Sequence, residues 1–294
     1  MVTVITPGAG MGSMRSVRVR GVLNRHRRDP WFLDEYSVNP YQGCGFGCIY
    51  CYTRGSVYGR RGLAVKVDAP RVLRGELARE ARRGRRGFIA IATATEAWAP
   101  GLEDVYGVTR GCLEAVLEYM FPVHCLTKST LILRDIDLLR RIDREAVLPR
   151  GLEGLGHGVY VTFSFSTLDE ELAGVVEPGA PPPRERLEAL GEAVSSGLEA
   201  GAAFMPVLPA LSDGELEDMA RAARDAGARY VFFSPLSPSN RLFAWLVKHR
   251  FPDRYERYLS VYGGGVRPSR RYREWFYRRA AYYAGRYGLK VGIV

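Results

Sequence analysis

Cys44, Cys48 and Cys51 stand in the spacing C-x3-C-x2-C, within Cys44-Gly45-Phe46-Gly47-Cys48-Ile49-Tyr50-Cys51. Thiolates are the usual ligands of iron–sulfur clusters, and three on one short loop can hold three corners of a [4Fe–4S] cube. Four irons want four ligands, so one iron stays open to a substrate or cofactor. Glycines at 43, 45 and 47 let the backbone fold tightly about a bulky inorganic core. The competing chemistry is a zinc knuckle, or three structural thiols in a turn. Zinc asks for a fourth Cys or His nearby, whereas Cys112, His124, Cys125 and His157 are distant and show no paired spacing.

These thiols need a scaffold, and the pattern around them supplies one. Tyr36-Ser37-Val38 is a short candidate strand just before the cysteine loop. Beyond it, strand-like runs over 88–92, 123–127, 159–165, 203–208 and 230–234 alternate with helical runs over 109–119, 133–146 and 184–200. Ser212-Asp213 is placed to cap a helix running to 226. Six strands alternating with helices imply an α/β fold, a partial (β/α)6 TIM-type barrel of parallel strands joined by right-handed crossovers. The expected division is a lead-in over 1–35, irregular over 1–14 and extended over 15–28, then the barrel over 36–238 and a C-terminal helical extension over 239–294.

In barrels of this kind chemistry sits on loops after the C-terminal strand ends. One mouth should therefore collect Thr93, Thr95 and Glu96, then Thr127, Lys128 and Ser129, then Ser164, Ser166 and Thr167, with Met205, Pro206 and Ser234. Lys128 is the pointed case: lysine occurs only at 66, 128, 248 and 290, so a strand-end lysine suggests a site that needs a compact ammonium.

The chain has 294 residues, 47% hydrophobic and 25% charged, enough for one sizeable core. Residues 1–21 hold no apolar run of signal-peptide length, and no window approaches a membrane span. Five cysteines, three on one loop, fit a reducing compartment, so a cytoplasmic protein is expected, with no membrane partner. The formal net charge of +10 admits nucleic acid or another anionic partner.

The cysteine loop resembles the signature of the radical S-adenosylmethionine (SAM) superfamily. Several further stretches, in this order, resemble its spore photoproduct lyase-like family: Ser37-Val38-Asn39-Pro40-Tyr41, Thr127-Lys128-Ser129, Leu133-Arg134-Asp135-Ile136-Asp137-Leu138-Leu139, Ser164-Phe165-Ser166-Thr167-Leu168-Asp169, Glu177-Pro178 with Arg186-Leu187, and Pro206-Val207-Leu208-Pro209. Leu242-Phe243-Ala244-Trp245-Leu246 and Phe251-Pro252 extend the likeness to roughly 20–285. The resemblance implies a [4Fe–4S] cluster on Cys44, Cys48 and Cys51, with SAM on the open iron. It further implies reductive cleavage of SAM to a 5′-deoxyadenosyl radical that abstracts hydrogen from a substrate, and an electron donor such as a flavodoxin or ferredoxin.

Carried over by position, Tyr50 would lie near adenine, Glu96 beside Thr95 would receive the SAM amino group, and Ser164, Ser166 and Arg186 would sit near the ribose and carboxylate. Other roles stay open: Tyr50 packing under the loop, Glu96 as a helix-start charge, Arg186 as a surface residue. Two departures limit the transfer. Phe46 stands where the family has a histidine, and 89–98 lacks the cysteine with which spore photoproduct lyase returns a hydrogen atom to its product. Cys112 and Cys125, in apolar settings, suit core packing, and two thiols cannot hold a second cube alone.

Basic residues over 248–290 interleave with Tyr255, Tyr258, Tyr262, Tyr272, Trp275, Phe276, Tyr277, Tyr282, Tyr283 and Tyr287, as in sites that neutralise phosphates and stack bases. Helix packing is the alternative use of those rings, and Gly263-Gly264-Gly265 would give a flexible loop between two helices. Three classes follow: a radical SAM enzyme acting on nucleic acid by lyase, repair-like or modification chemistry; one modifying a peptide, protein or small metabolite; and a non-enzymatic metal protein that binds nucleic acid.

Overall fold

The computed structural model describes residues 3–5, 14–54, 56 and 62–294. Along the chain the strands are β1 (Thr3–Ile5), β2 (Ser16–Arg18), β3 (Leu23–Arg25), β4 (Asp34–Val38), β5 (Tyr41–Gln42), β6 (Ala64–Lys66), β7 (Phe88–Ile91), β8 (Val123–Thr127), β9 (Val159–Phe165), β10 (Glu199–Val207), β11 (Tyr230–Pro235) and β12 (Lys290–Val291). The large sheet runs β12-β11-β10-β9-β8-β7-β4-β3, and its six central strands are parallel neighbours in chain order. Helices Ala69–Arg82, Val108–Glu118, Ile136–Glu145, Pro183–Ser195 and Leu216–Asp225 fill the crossovers, so the fold is the expected α/β partial barrel. Its strands are buried on both faces, which is why their sequences are nearly continuous apolar runs.

The expected ends of several elements move. β10 starts four residues early because Gly197, at φ +90°, ends the preceding helix at Ser195 and turns the chain straight into the sheet. Ser212 and Asp213 do not cap a helix. Ser212 Oγ instead accepts from Leu208 N and donates to Ser166 O, Asp213 is buried, and the helix begins at Leu216. The expected irregular end over 1–14 lies largely outside the described residues, and within it Thr3–Ile5 pairs with β2.

A second sheet, β1-β2-β6-β5, has no counterpart in the sequence reading. It matters because β5 and β6 pair antiparallel, so both ends of the cysteine loop are pinned. The floor of the barrel is closed at the opposite end of the strands. Phe32 packs on His124 and Phe232, while His124 Nε2 meets Thr162 Oγ1 at 2.6 Å and that hydroxyl meets Tyr230 Oη at 2.8 Å.

Helices Arg241–Arg250, Pro252–Tyr262 and Arg270–Arg286 lie between β11 and β12. Gly263 and Gly264, both at positive φ, end the second of these helices, with Gly263 N donating to Leu259 O, and open the loop to the third. Phe243, Leu246 and Val247 pack with Tyr50 in one apolar cluster, which seats the first of these helices on the cysteine loop. Among the described residues no helix is long and apolar enough to cross a membrane.

Candidate active site

The cysteine loop leaves β4 through Asn39, whose side chain ties two strand ends together. Its Oδ1 accepts from Ala94 N at 2.9 Å and Thr95 Oγ1 at 3.3 Å, and its Nδ2 donates to Thr93 Oγ1 at 3.2 Å. Arg54 then reaches back to donate to Cys48 O and Gly47 O. The loop is also gripped from across the barrel: Ile49 N donates to Val176 O and Gly179 N to Phe46 O. Gly179 is required there, because a Cβ would sit 2.9 Å from Phe46 Cα.

Cys44, Cys48 and Cys51 are free thiols and all three line one cavity of about 530 Å3. Tyr50, Thr95, Glu96, Lys128 and Ser164 line the same cavity, with Thr93, Met205, Pro206 and Ser234. Ser166 and Arg186 stand behind its wall. Arg186 is fully buried and spends its guanidinium on Pro181 O, Ser164 O and Glu177 Oε2 while lying over the Phe165 ring; it is not a surface residue. Ser166 Oγ is buried without a hydrogen-bond partner among the described residues.

Glu96 is buried at the end of β7. Its carboxylate accepts from Thr127 Oγ1, Trp98 N and Lys128 N, so it closes the strand ends while one face stays on the cavity. Burial raises its pKa against those three donors. Tyr50 is buried too, and its hydroxyl donates to Glu177. Burial would push Glu177 up, but Lys128, at 3.7 Å, and Arg186 outweigh it and hold the carboxylate below its usual range. The Cys48 thiol is pushed up to about 12 by burial, with Lys128 pulling against it.

Glu177 was visible to sequence reasoning only as part of a Glu-Pro stretch. The signal that could have singled it out is an acidic residue nine positions before an arginine, across a proline-rich turn, in a strand-end loop. Asn39 likewise stands out in the sequence only as a neighbour of the cysteines.

The donor set suits an iron–sulfur cluster. Three free thiols share one wall, with an ammonium beside them. Among the described residues no three of His, Cys, Asp and Glu close around a single ion. A cube asks for a wider spread, since each thiolate binds a different iron. The Glu96 carboxylate face and the Lys128 ammonium on the same cavity further suit a polar organic cofactor there.

The family model of the radical SAM superfamily matches residues 38–223. The chain belongs to the radical SAM superfamily. An uncharacterized protein of Mycobacterium tuberculosis is 31% identical over 293 residues, covering 94% of this chain and 82% of the relative. The radical SAM Nalpha-GlyT isomerase of Pseudomonas phage M6 is 25% identical over 189 residues, covering 63% of this chain and 36% of the relative. A spore photoproduct lyase variant with bound AdoMet and dinucleoside spore photoproduct has the same fold, with a TM-score of 0.61 at 14% identity over 88% of this chain and 76% of the other. Membership of the superfamily implies a [4Fe–4S] cluster and SAM.

Proposed function

We propose that this chain is an enzyme that cleaves SAM reductively, with Cys44, Cys48 and Cys51 holding a [4Fe–4S] cluster and SAM in the adjoining cavity. One observation carries the reading: three free thiols and the polar strand ends of a parallel barrel line a single cavity. When bound, the cluster supplies one electron to SAM, giving a radical that takes hydrogen from the substrate. The chain's own residues orient and exclude water. Glu96 presents its carboxylate face to the SAM amino group, Lys128 its ammonium to an anionic group, and Ser164 and Thr95 their hydroxyls to the ribose and carboxylate side. Tyr50 supports the loop from below as well as edging the cavity, so its contact with adenine is through the ring, not the hydroxyl.

Nucleic acid is the substrate class that the charge distribution favours. Residues 239–294 hold 13 Lys or Arg against 3 Asp or Glu, which equals the whole net charge of +10 and leaves 29 of each sign over 1–238. That basic segment begins at the cavity rim, where Ser237 and Pro238 line the space and Asn240 Nδ2 donates to Ile49 O. A bound single strand would cross the mouth. Of the interleaved aromatics, Tyr258, Tyr262, Phe276 and Tyr283 are buried in packing and Tyr277 and Tyr282 are exposed stacking faces, to which the neighbouring Trp245 adds a third.

A repair reaction that needs a cysteine hydrogen donor fits this cavity poorly. Among the described residues its only thiols are the three proposed ligands, while Cys112 and Cys125 are core. That observation favours a modification in which another group, or SAM itself, closes the radical cycle, and it keeps peptide, protein or metabolite substrates as a second reading. The electron would come from an external donor of flavodoxin or ferredoxin type.

The test is anaerobic reconstitution with iron and sulfide, reduction in the presence of SAM, and chromatography for 5′-deoxyadenosine, alongside Cys48→Ala. Product in the parent and none in the variant is expected. A colourless protein that binds zinc and forms no 5′-deoxyadenosine would overturn the reading and favour a non-enzymatic metal protein.

A further inference from the structure

We propose that Glu177 is a positioning residue for the cysteine loop, fixing Tyr50 from below and holding Lys128 on the cavity that the three thiols line. The inference rests on the cluster reading above and concerns Glu177, to which the likeness assigned no role.

The segment around Glu177 touches the interior of the C-x3-C-x2-C run at three points. Phe46 O receives Gly179 N, Ile49 N reaches Val176 O, and the Tyr50 hydroxyl reaches Glu177 itself. All three lie between the first and third cysteines. The segment is itself firmly set. Helix Glu170–Val176 starts at Asp169, whose Oδ1 caps Leu172 N at 2.9 Å, and it ends at Glu177. From there the Glu177 side chain, 1% exposed, turns inward to Arg186, which is tied to strand β9 through Ser164 O. The clamp therefore runs from the barrel wall, through one carboxylate, to the cysteine loop.

Charge gives Glu177 a second effect. Its single negative charge faces two cations, buried Arg186 and Lys128. With the carboxylate present, Lys128 is partly neutralised on its protein side. Removing that charge leaves Arg186 without its carboxylate and Lys128 facing Glu96 alone, and cations near a thiolate-held group favour its reduced, more negative form. Glu177 thus tempers the field that Lys128 and Arg186 place on the site.

Two variants separate the effects. Tyr50→Phe deletes one contact and no charge. Glu177→Gln deletes the charge while its amide can still accept from Arg186 and donate to the Tyr50 oxygen. The first readout is the alkylation rate of Cys48 in the iron-free protein, followed by mass spectrometry, which needs no cluster. Alkylation several-fold faster in Tyr50→Phe, with an unchanged circular-dichroism melt onset, is expected from a loosened loop. The second is the midpoint potential of the reconstituted protein, expected to rise in Glu177→Gln and to stay put in Tyr50→Phe. An unchanged Cys48 rate in Tyr50→Phe overturns the positioning role, and an unchanged potential in a folded Glu177→Gln overturns the electrostatic one. Should Glu177→Gln fail to fold, Lys128→Met replaces it, with a fall in potential expected and no change overturning the effect. A parent protein that takes up no cluster would defeat the cluster reading alone, since the alkylation test still stands.

Discussion

The Thr127 hydroxyl donates to the Glu96 carboxylate at 2.6 Å, joining the ends of β7 and β8 at the wall of the cavity. Both residues are buried, so the bond is shielded from competing water. A hydrogen bond to a charged group is worth roughly 1.5–3 kcal/mol. Thr127→Val keeps the shape and deletes both the donor to Glu96 and the acceptor that Ser129 N uses at 2.8 Å. It is expected to lower unfolding free energy by about 2 kcal/mol, read by urea denaturation, and to weaken SAM binding through a carboxylate that has lost one of its three anchors. Glu96→Ala strands the Trp98 and Lys128 amides as well and should cost more. Equal stability of Thr127→Val and the parent would refute the coupling.

Cys125 and Cys112 provide a contrast with the loop thiols. Both are wholly buried in the apolar core, and burial pushes each thiol up, Cys112 to about 12. Cys125→Ser puts a hydroxyl into the hydrophobic core, at a cost of about 1–3 kcal/mol. Its iron content after reconstitution should match the parent's. Iron loss in a folded Cys125→Ser would contradict its assignment to the core.

The parallel barrel was legible because its strands are fully buried: 123–127 and 159–165 coincide with β8 and β9, since buried parallel strands leave an unbroken apolar signal. The small sheet was not, because β5 and β6 have two and three residues and no periodicity to read. The site divided in the same way. Residues at strand ends follow from topology alone, so Thr95, Glu96, Lys128 and Ser164 meet in one cavity. Arg186 and Ser166 needed side-chain direction. Arg186 lies on a helix whose buried face is set by packing, and its positive charge is answered by Glu177 inside the protein. The run Arg134-Asp135-Ile136-Asp137 illustrates how a motif can be scaffold: Arg134 pairs with buried Glu103, and Asp135 accepts from Trp98 Nε1 and Arg110.

His124 makes stability depend on pH in a defined direction. Burial lowers its pKa from 6.5 to about 4, so the folded protein keeps it neutral where the unfolded chain would protonate it. The unfolded state therefore binds more protons between those values, and stability is fully present above pH 6.5 and falls as pH drops toward 4. The gap corresponds to about 3 kcal/mol. His124→Asn should be less stable at pH 7, because its shorter side chain abandons Thr162, but should show a flatter profile over this window in denaturant titrations. A parent-like slope in the variant would assign the pH dependence elsewhere.

The C-terminal charge yields a prediction about salt. Single-strand binding that releases counterions loses affinity with a slope of about −0.7 in log–log form per phosphate neutralised. Arg250, Arg273 and Arg278 are exposed and pair with no carboxylate among the described residues. Replacing all three by Gln should reduce the slope by about 2 if each meets a phosphate, without altering SAM cleavage in the absence of substrate. Trp245→Ala and Tyr282→Ala test the stacking part separately, since loss of a base–aromatic contact costs about 1–3 kcal/mol at any salt concentration. An oligonucleotide affinity that is weak, salt-independent and indifferent to all five residues would remove nucleic acid as the substrate class. The same enzyme would then be tested on peptides and small metabolites, whose recognition must come from the cavity itself.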